Sequence, residues 1–128
     1  YTQNPFKNIK AMVVQRVSSN VTSLNDMFNG LENLKTISGL DTWDVSNINT
    51  MDSLFMECRN LKTISGLESW DVGNIRDMTW AFNECMSLKD ISDLENLYFC
   101  IEKQFGKEIA NKIFFENAHA FTVKNILD

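Results

Sequence analysis

Apolar positions along the chain fall into columns that recur every 27 residues. Val21, Ile48 and Ile75 share one column; Leu24, Met51 and Met78 a second; Phe28, Phe55 and Phe82 a third; Leu34, Leu61 and Leu88 a fourth. Ile37, Ile64 and Ile91 follow, then Leu40, Leu67 and Leu94. The stretch 33–40 returns unchanged at 60–67, and Trp43-Asp44-Val45 returns as Trp70-Asp71-Val72. The copies are cut at 20–46, 47–73 and 74–100, with Leu97-Tyr98-Phe99 closing the third where the others have Trp-Asp-Val. One such unit cannot bury its apolar face alone, whereas stacked neighbours bury it jointly.

Within a copy, Val21, Leu24, Met27, Phe28 and Leu31 recur at helical spacing and predict a short helix. Asn20, Asn47 and Asn74 precede it as N-cap candidates. The β-branched stretch 35–38 predicts a strand, and Gly39 and Gly66, with Asp93 in the third copy, mark a bend that calls for positive φ. The expected architecture is an α/β class, leucine-rich-repeat-like solenoid of three 27-residue coils with helical N- and C-terminal caps. It forms one domain: residues 1–19 in front, 20–100 as repeats, 101–128 behind. Asn4-Pro5 starts the front helix, carried by Phe6, Ile9, Val13 and Val17, with a strand at 11–14 as the competing reading. At the back, Leu97, Ile101, Phe105, Ile109 and Ile113 predict a helix over 102–115 that Gly106 weakens, and 118–127 a further helical turn or two.

The run 43–61, from Trp43-Asp44-Val45-Ser46-Asn47 through Met51, Phe55 and Cys58 to Leu61, resembles the repeat of the mycoplasma-lipoprotein family, a branch of the leucine-rich-repeat-like proteins related to bacterial surface protein A. The resemblance spans about residues 20–100. It implies a bacterial chain, secreted or held at the cell surface, with adhesion or protein binding as its role. It brings no catalytic residues with it.

Composition narrows the chemistry. Hydrophobic residues make up 44% of 128 and charged residues 23%, a soluble balance, and no apolar run is long enough to span a membrane. The net charge of −5 opposes a phosphate backbone, so no nucleic-acid partner is expected. One histidine and three cysteines, without Cys-x-x-Cys or a His pair, leave no metal or cofactor site in view. Cys58 and Cys85 share a column, which allows a disulfide between neighbouring copies, but buried thiols acting as small hydrophobes are the preferred reading. A thiol enzyme using Cys100 and His119 is the remote alternative, because no third orienting group is evident. Asp44 and Asp71 suit backbone-satisfying turns, and Lys35, Lys62 and Lys89 stack as a basic column.

Positions that differ between copies point to a binding surface. They are Asn25/Asp52/Thr79, Asp26/Ser53/Trp80, Asn29/Met56/Asn83 and Glu32/Arg59/Met86. Most are polar, as a solvent face requires, but Trp80, Met56 and Met86 are not. With Arg59 they form the candidate partner-binding set, since Trp, Met and Arg are enriched at interfaces. The expected function is a non-enzymatic protein-interaction or adhesion module. The alternative is a structural or capping fragment of a larger chain, an expectation that rests on Tyr1 standing where Met would begin a full reading frame.

Overall fold

The computed structural model describes residues 8–14, 20–89 and 92–120. It contains a three-stranded parallel sheet: β1 (Ala11–Val13), β2 (Thr36–Ser38) and β3 (Thr63–Ile64), in that order. Met12 pairs with Ile37, and Ile37 with Ile64. Two helices follow, α1 (Ser92–Phe105) and α2 (Lys107–Asn111), and then a π-helical segment, Lys112–Asn117.

These elements overturn the expected α/β solenoid of three 27-residue coils with helical caps. The structure is instead a small parallel sheet with two helices. Each departure has a local cause.

No helix forms over 21–31 or its equivalents. The N–H groups of Leu24, Asp26, Phe28 and Gly30 donate to the carbonyls of Thr50, Asp52, Leu54 and Met56, at 2.8–3.0 Å. The intervening N–H groups of Met27, Asn29 and Leu31 reach back only three residues. Residues 26 and 30 have φ of 62° and 79°, which no α-helix tolerates. Leu24, Phe28 and Leu31 still face inward, so a turn with cross-copy hydrogen bonds produces the same apolar spacing as a helix. Met27, which a helical stripe would bury, is exposed.

At the front, the competing reading holds: residues 11–13 are a strand, not part of a helix. Asn4, Pro5, Phe6 and Val17 lie outside the described residues, as do Ile91 and 121–127. At the back, the expected single helix over 102–115 is replaced. α1 begins inside the third copy, where Leu94, Leu97, Tyr98 and Ile101 make a buried stripe at i, i+3, i+4 and i+7. Gly106 (φ 87°) does not merely weaken a helix but separates α1 from α2.

Glycine is required at the bend before each short 3-10 turn. Gly39 and Gly66 have φ of 91° and 103° and precede Leu40–Thr42 and Leu67–Ser69. Asp93 does not repeat that bend. It lies in the first turn of α1, and its carboxylate accepts the N–H groups of Gly66 (2.7 Å) and Leu67 (3.3 Å).

The core is a set of like-on-like contacts between copies. Phe28, Phe55, Phe82 and Phe114 stack in series, with ring centroids 5.3, 5.8 and 5.7 Å apart. Trp43 stacks on Trp70 at 6.3 Å, and the Trp70 indole N–H donates to the Leu40 carbonyl at 2.8 Å. The segment after α2 continues this pattern against the third copy. Phe114 extends the phenylalanine series, while the N–H groups of Trp80 and Phe82 donate to Asn117 (2.6 Å) and Ala118 (2.8 Å). Carbonyl groups from the π-helical segment and Ala118 thus fill the role that the next copy fills for Asp26 and Phe28.

Candidate interaction surface

Short polar side chains hold neighbouring copies together. The Asn25 Oδ1 accepts the Asp52 N–H at 2.8 Å, and one step on the Asp52 Oδ1 accepts the Thr79 N–H at 3.1 Å. The column Asn25/Asp52/Thr79 is therefore structural rather than part of a binding face. Asn60 and Asn74 likewise donate to the carbonyls of Glu32 and Ser46, so Asn74 bridges copies instead of capping a helix. Asp44 and Asp71 accept the N–H groups two residues on, at Ser46 and Gly73, each at 3.0 Å. Burial and the neighbouring Asp77 carboxyl raise the Asp52 pKa, while hydrogen bonding from the Thr79 hydroxyl lowers that of Asp77. Asp52 therefore takes up a proton first as pH falls.

The three thiols have a comparable role. The Sγ of Cys58 lies 3.1 Å from the Phe28 carbonyl, that of Cys85 3.0 Å from Phe55, and that of Cys100 3.9 Å from Trp70. In each case a weak S–H donor satisfies a carbonyl of the preceding copy. All three cysteines are free, so Cys58 and Cys85 are buried thiols rather than a disulfide. Burial pushes the Cys58 thiol up to about 12 and the Cys85 thiol up as well. Both stay protonated, hence poor nucleophiles, at neutral pH. His119 Nδ1 lies 2.9 Å from the Asn83 side-chain oxygen.

One pH prediction follows from the thiols. In the unfolded chain Cys58 ionises near 9.0, whereas in the folded chain it holds its proton to about 12. Between those values the folded state binds more protons, so stability falls as pH rises. Urea unfolding midpoints should be insensitive to these thiols below pH 8 and decline above pH 9. Cys58→Ala/Cys85→Ala should flatten that alkaline decline.

The candidate contact residues occupy the face where the copies differ. Trp80 shares its column with Asp26 and Ser53, and all three adopt a left-handed backbone, with φ of 60°, 62° and 57°. Asp and Ser suit that conformation through local hydrogen bonds, but a bulky aromatic does not. The Trp80 backbone is fixed on one side by its bond to Asn117 and on the other by the Asn83 N–H, which donates to its carbonyl at 3.1 Å. The residue nonetheless remains 49% exposed.

Met86 is 76% exposed. Arg59 stands opposite it in register, between the backbone pairings Glu57 with Asn83 and Lys89 with Lys62. The Arg59 guanidinium lies 3.1 Å from the Glu84 carboxylate and 3.9 Å from that of Glu57. Met56 is half-buried, with its carbonyl held by the Gly30 N–H. The structure thus brings Arg59 and Met86 to adjacent register positions, and separates Trp80 from Met86 by the turn that carries Asn83.

Sequence reasoning missed Glu84, and it saw Asn83 only as a polar member of a variable column and His119 only as the partner of Cys100 in a remote thiol enzyme. The signal for this turn was present in the column Gly30/Glu57/Glu84, whose first member is glycine and whose φ values are 79°, 61° and 66°. Among the described residues, no group of three or more His, Cys, Asp or Glu side chains could hold a metal ion, and no helix is long and apolar enough to cross a membrane.

Comparison with curated proteins and with solved structures gave no match. A family model matches residues 2–126. That match sustains the mycoplasma-type part of the resemblance carried by the Trp-Asp-Val repeat, and with it a bacterial protein. It does not sustain the leucine-rich-repeat relationship. The chain belongs to the family described as "Mycoplasma protein of unknown function, DUF285".

Proposed function

We propose that the chain is a non-enzymatic protein-interaction module of a surface-exposed or secreted bacterial protein. Its proposed contact residues are Trp80, the anchor, and Met56, Arg59 and Met86 on the same variable face. The observation that carries this reading is the backbone of Trp80. An L-residue in the left-handed region costs about 1–2 kcal/mol. The half of the indole that is covered contributes a stabilisation of about 2 kcal/mol. The two terms nearly cancel, so folding alone gives little reason for a tryptophan where the neighbouring copies carry Asp and Ser. An exposed aromatic on a face that also carries Met56, Arg59 and Met86 has the composition of an interface anchor.

The test replaces Met86 with a photo-crosslinking residue and exposes the chain to intact host cells. Adducts with specific proteins are expected, and Trp80→Asn in the same chain should reduce their yield by about thirtyfold, the effect of losing a central aromatic anchor. Equal adduct yields with and without Trp80 would overturn the proposal.

A further inference from the structure

We infer that Lys10, Lys35, Lys62 and Lys89 form a docking row for a sulfated polysaccharide. The repeat supplies three of these lysines, and the strand register supplies the fourth. Ala11 pairs with Thr36, which sets Lys10 beside Lys35, although the two are not separated by the repeat length. The backbone confirms the alignment: the Lys35 N–H donates to the Lys10 carbonyl, Lys62 to Lys35, and Lys89 to Lys62, at 2.6, 2.8 and 3.0 Å. All four residues are exposed. Their Cα atoms therefore succeed one another at the strand separation, about 4.8 Å.

Like charges opposite one another on neighbouring strands repel. The chain nonetheless places four ammonium groups in line, while its 17 acidic residues give an overall charge of −5. Among the described residues the ion pairs of Arg59 with Glu84 and Glu57 do not involve the row. Lysines that guard against sheet-edge aggregation lie along an edge strand. This row runs across the strands, from β1 through β3 to the third copy, so that role does not account for it.

The geometry favours a stiff linear anion over its competitors. An extended acidic peptide presents one face every second residue, about 6.6 Å apart, and loses register with the lysines within two steps. Single-stranded nucleic acid needs aromatic stacking platforms beside the basic groove. The residues flanking the row in sequence are instead Ile9, Leu34, Leu61 and Leu88 on one side, the three leucines buried, and Ala11, Thr36, Thr63 and Asp90 on the other, none of them aromatic. A sulfated polysaccharide carries anionic groups on nearly every sugar ring of a stiff chain, so its charge density suits a row of closely spaced lysines. Its stiffness also limits the ordering cost of binding.

The row is independent of Trp80, so the two proposals can fail separately. The experiment titrates the chain with a heparin-derived octasaccharide at low ionic strength. Binding is expected, and it should weaken steeply as salt is added. Lys35→Gln/Lys62→Gln should weaken it by about thirtyfold. Lys10→Gln/Lys89→Gln should act in the same direction, and Trp80→Asn should leave binding unchanged. No binding at low salt, binding that both lysine double variants retain, or equal binding of polyglutamate or single-stranded DNA would overturn the inference.

Discussion

Replacing Gly66 with alanine should lower the thermal unfolding midpoint by about 10–15 °C, a loss of about 3 kcal/mol or more. Gly66 has φ of 103°, and a Cβ added there would sit 2.5 Å from the Asp41 backbone nitrogen and 3.1 Å from the Leu40 carbonyl carbon. Both are main-chain atoms of the preceding copy and cannot rotate away. The Gly66 N–H is also held by Asp93, so moving the bend would break the link between α1 and the second copy. Gly106 provides the control. Its φ is 87°, but a Cβ there would meet nothing within 4 Å. Its ψ of 163° lies in a region that only glycine occupies freely, so Gly106→Ala should cost the conformational term alone, about 1–3 kcal/mol. Equal losses for the two variants would mean that the close approach of copies at Gly66 is not what demands glycine.

Phe55→Ala should cost about 3–5 kcal/mol, a large share of the stability of a domain this size. Phe55 is fully buried between Phe28 and Phe82, so truncation opens a cavity in the middle of the ring series. Collapse into that cavity is opposed by the backbone bonds on either side, from Phe28 to Leu54 and from Phe55 to Ala81. Urea titration should show a lower midpoint with the slope little changed. Phe55→Leu, which restores most of the volume, should recover more than half of the loss. A cost below about 1.5 kcal/mol for Phe55→Ala would show that the series is not a rigid support.

The residues that the sequence made legible are those whose role repeats. Ile37 and Ile64, Trp43 and Trp70, and Phe28, Phe55 and Phe82 were identified as equivalent positions, and they lie against one another. Gly39 and Gly66 were placed at positive φ for the right physical reason. The helix expected over 21–31 failed because spacing alone records which residues face inward, not where their N–H groups go. The third copy was misread for a related reason. Leu94, Leu97, Tyr98 and Ile101 fit the repeat columns only in part and the face of a helix fully, and the helix is what forms. At the surface, Trp80 was legible as an apolar residue in a polar column. Its left-handed backbone was not, because that depends on the cross-copy hydrogen bonds. Asn25 and Asp52 looked like surface variation because two different side chains supply the acceptor for the same backbone N–H of the next copy, whereas the Thr79 hydroxyl donates to Asp77.

The central claim is that Trp80 serves contact with a partner rather than the packing of its own fold. The unfolding midpoint of Trp80→Asn tests it most directly. Asparagine accepts the left-handed backbone, so relief of strain offsets the packing lost when the half-exposed indole is removed. The midpoint should stay within about 4 °C of the parent chain, a change of no more than about 1 kcal/mol. A fall of about 10 °C or more, as for a buried tryptophan, would contradict the claim and make Trp80 part of the core.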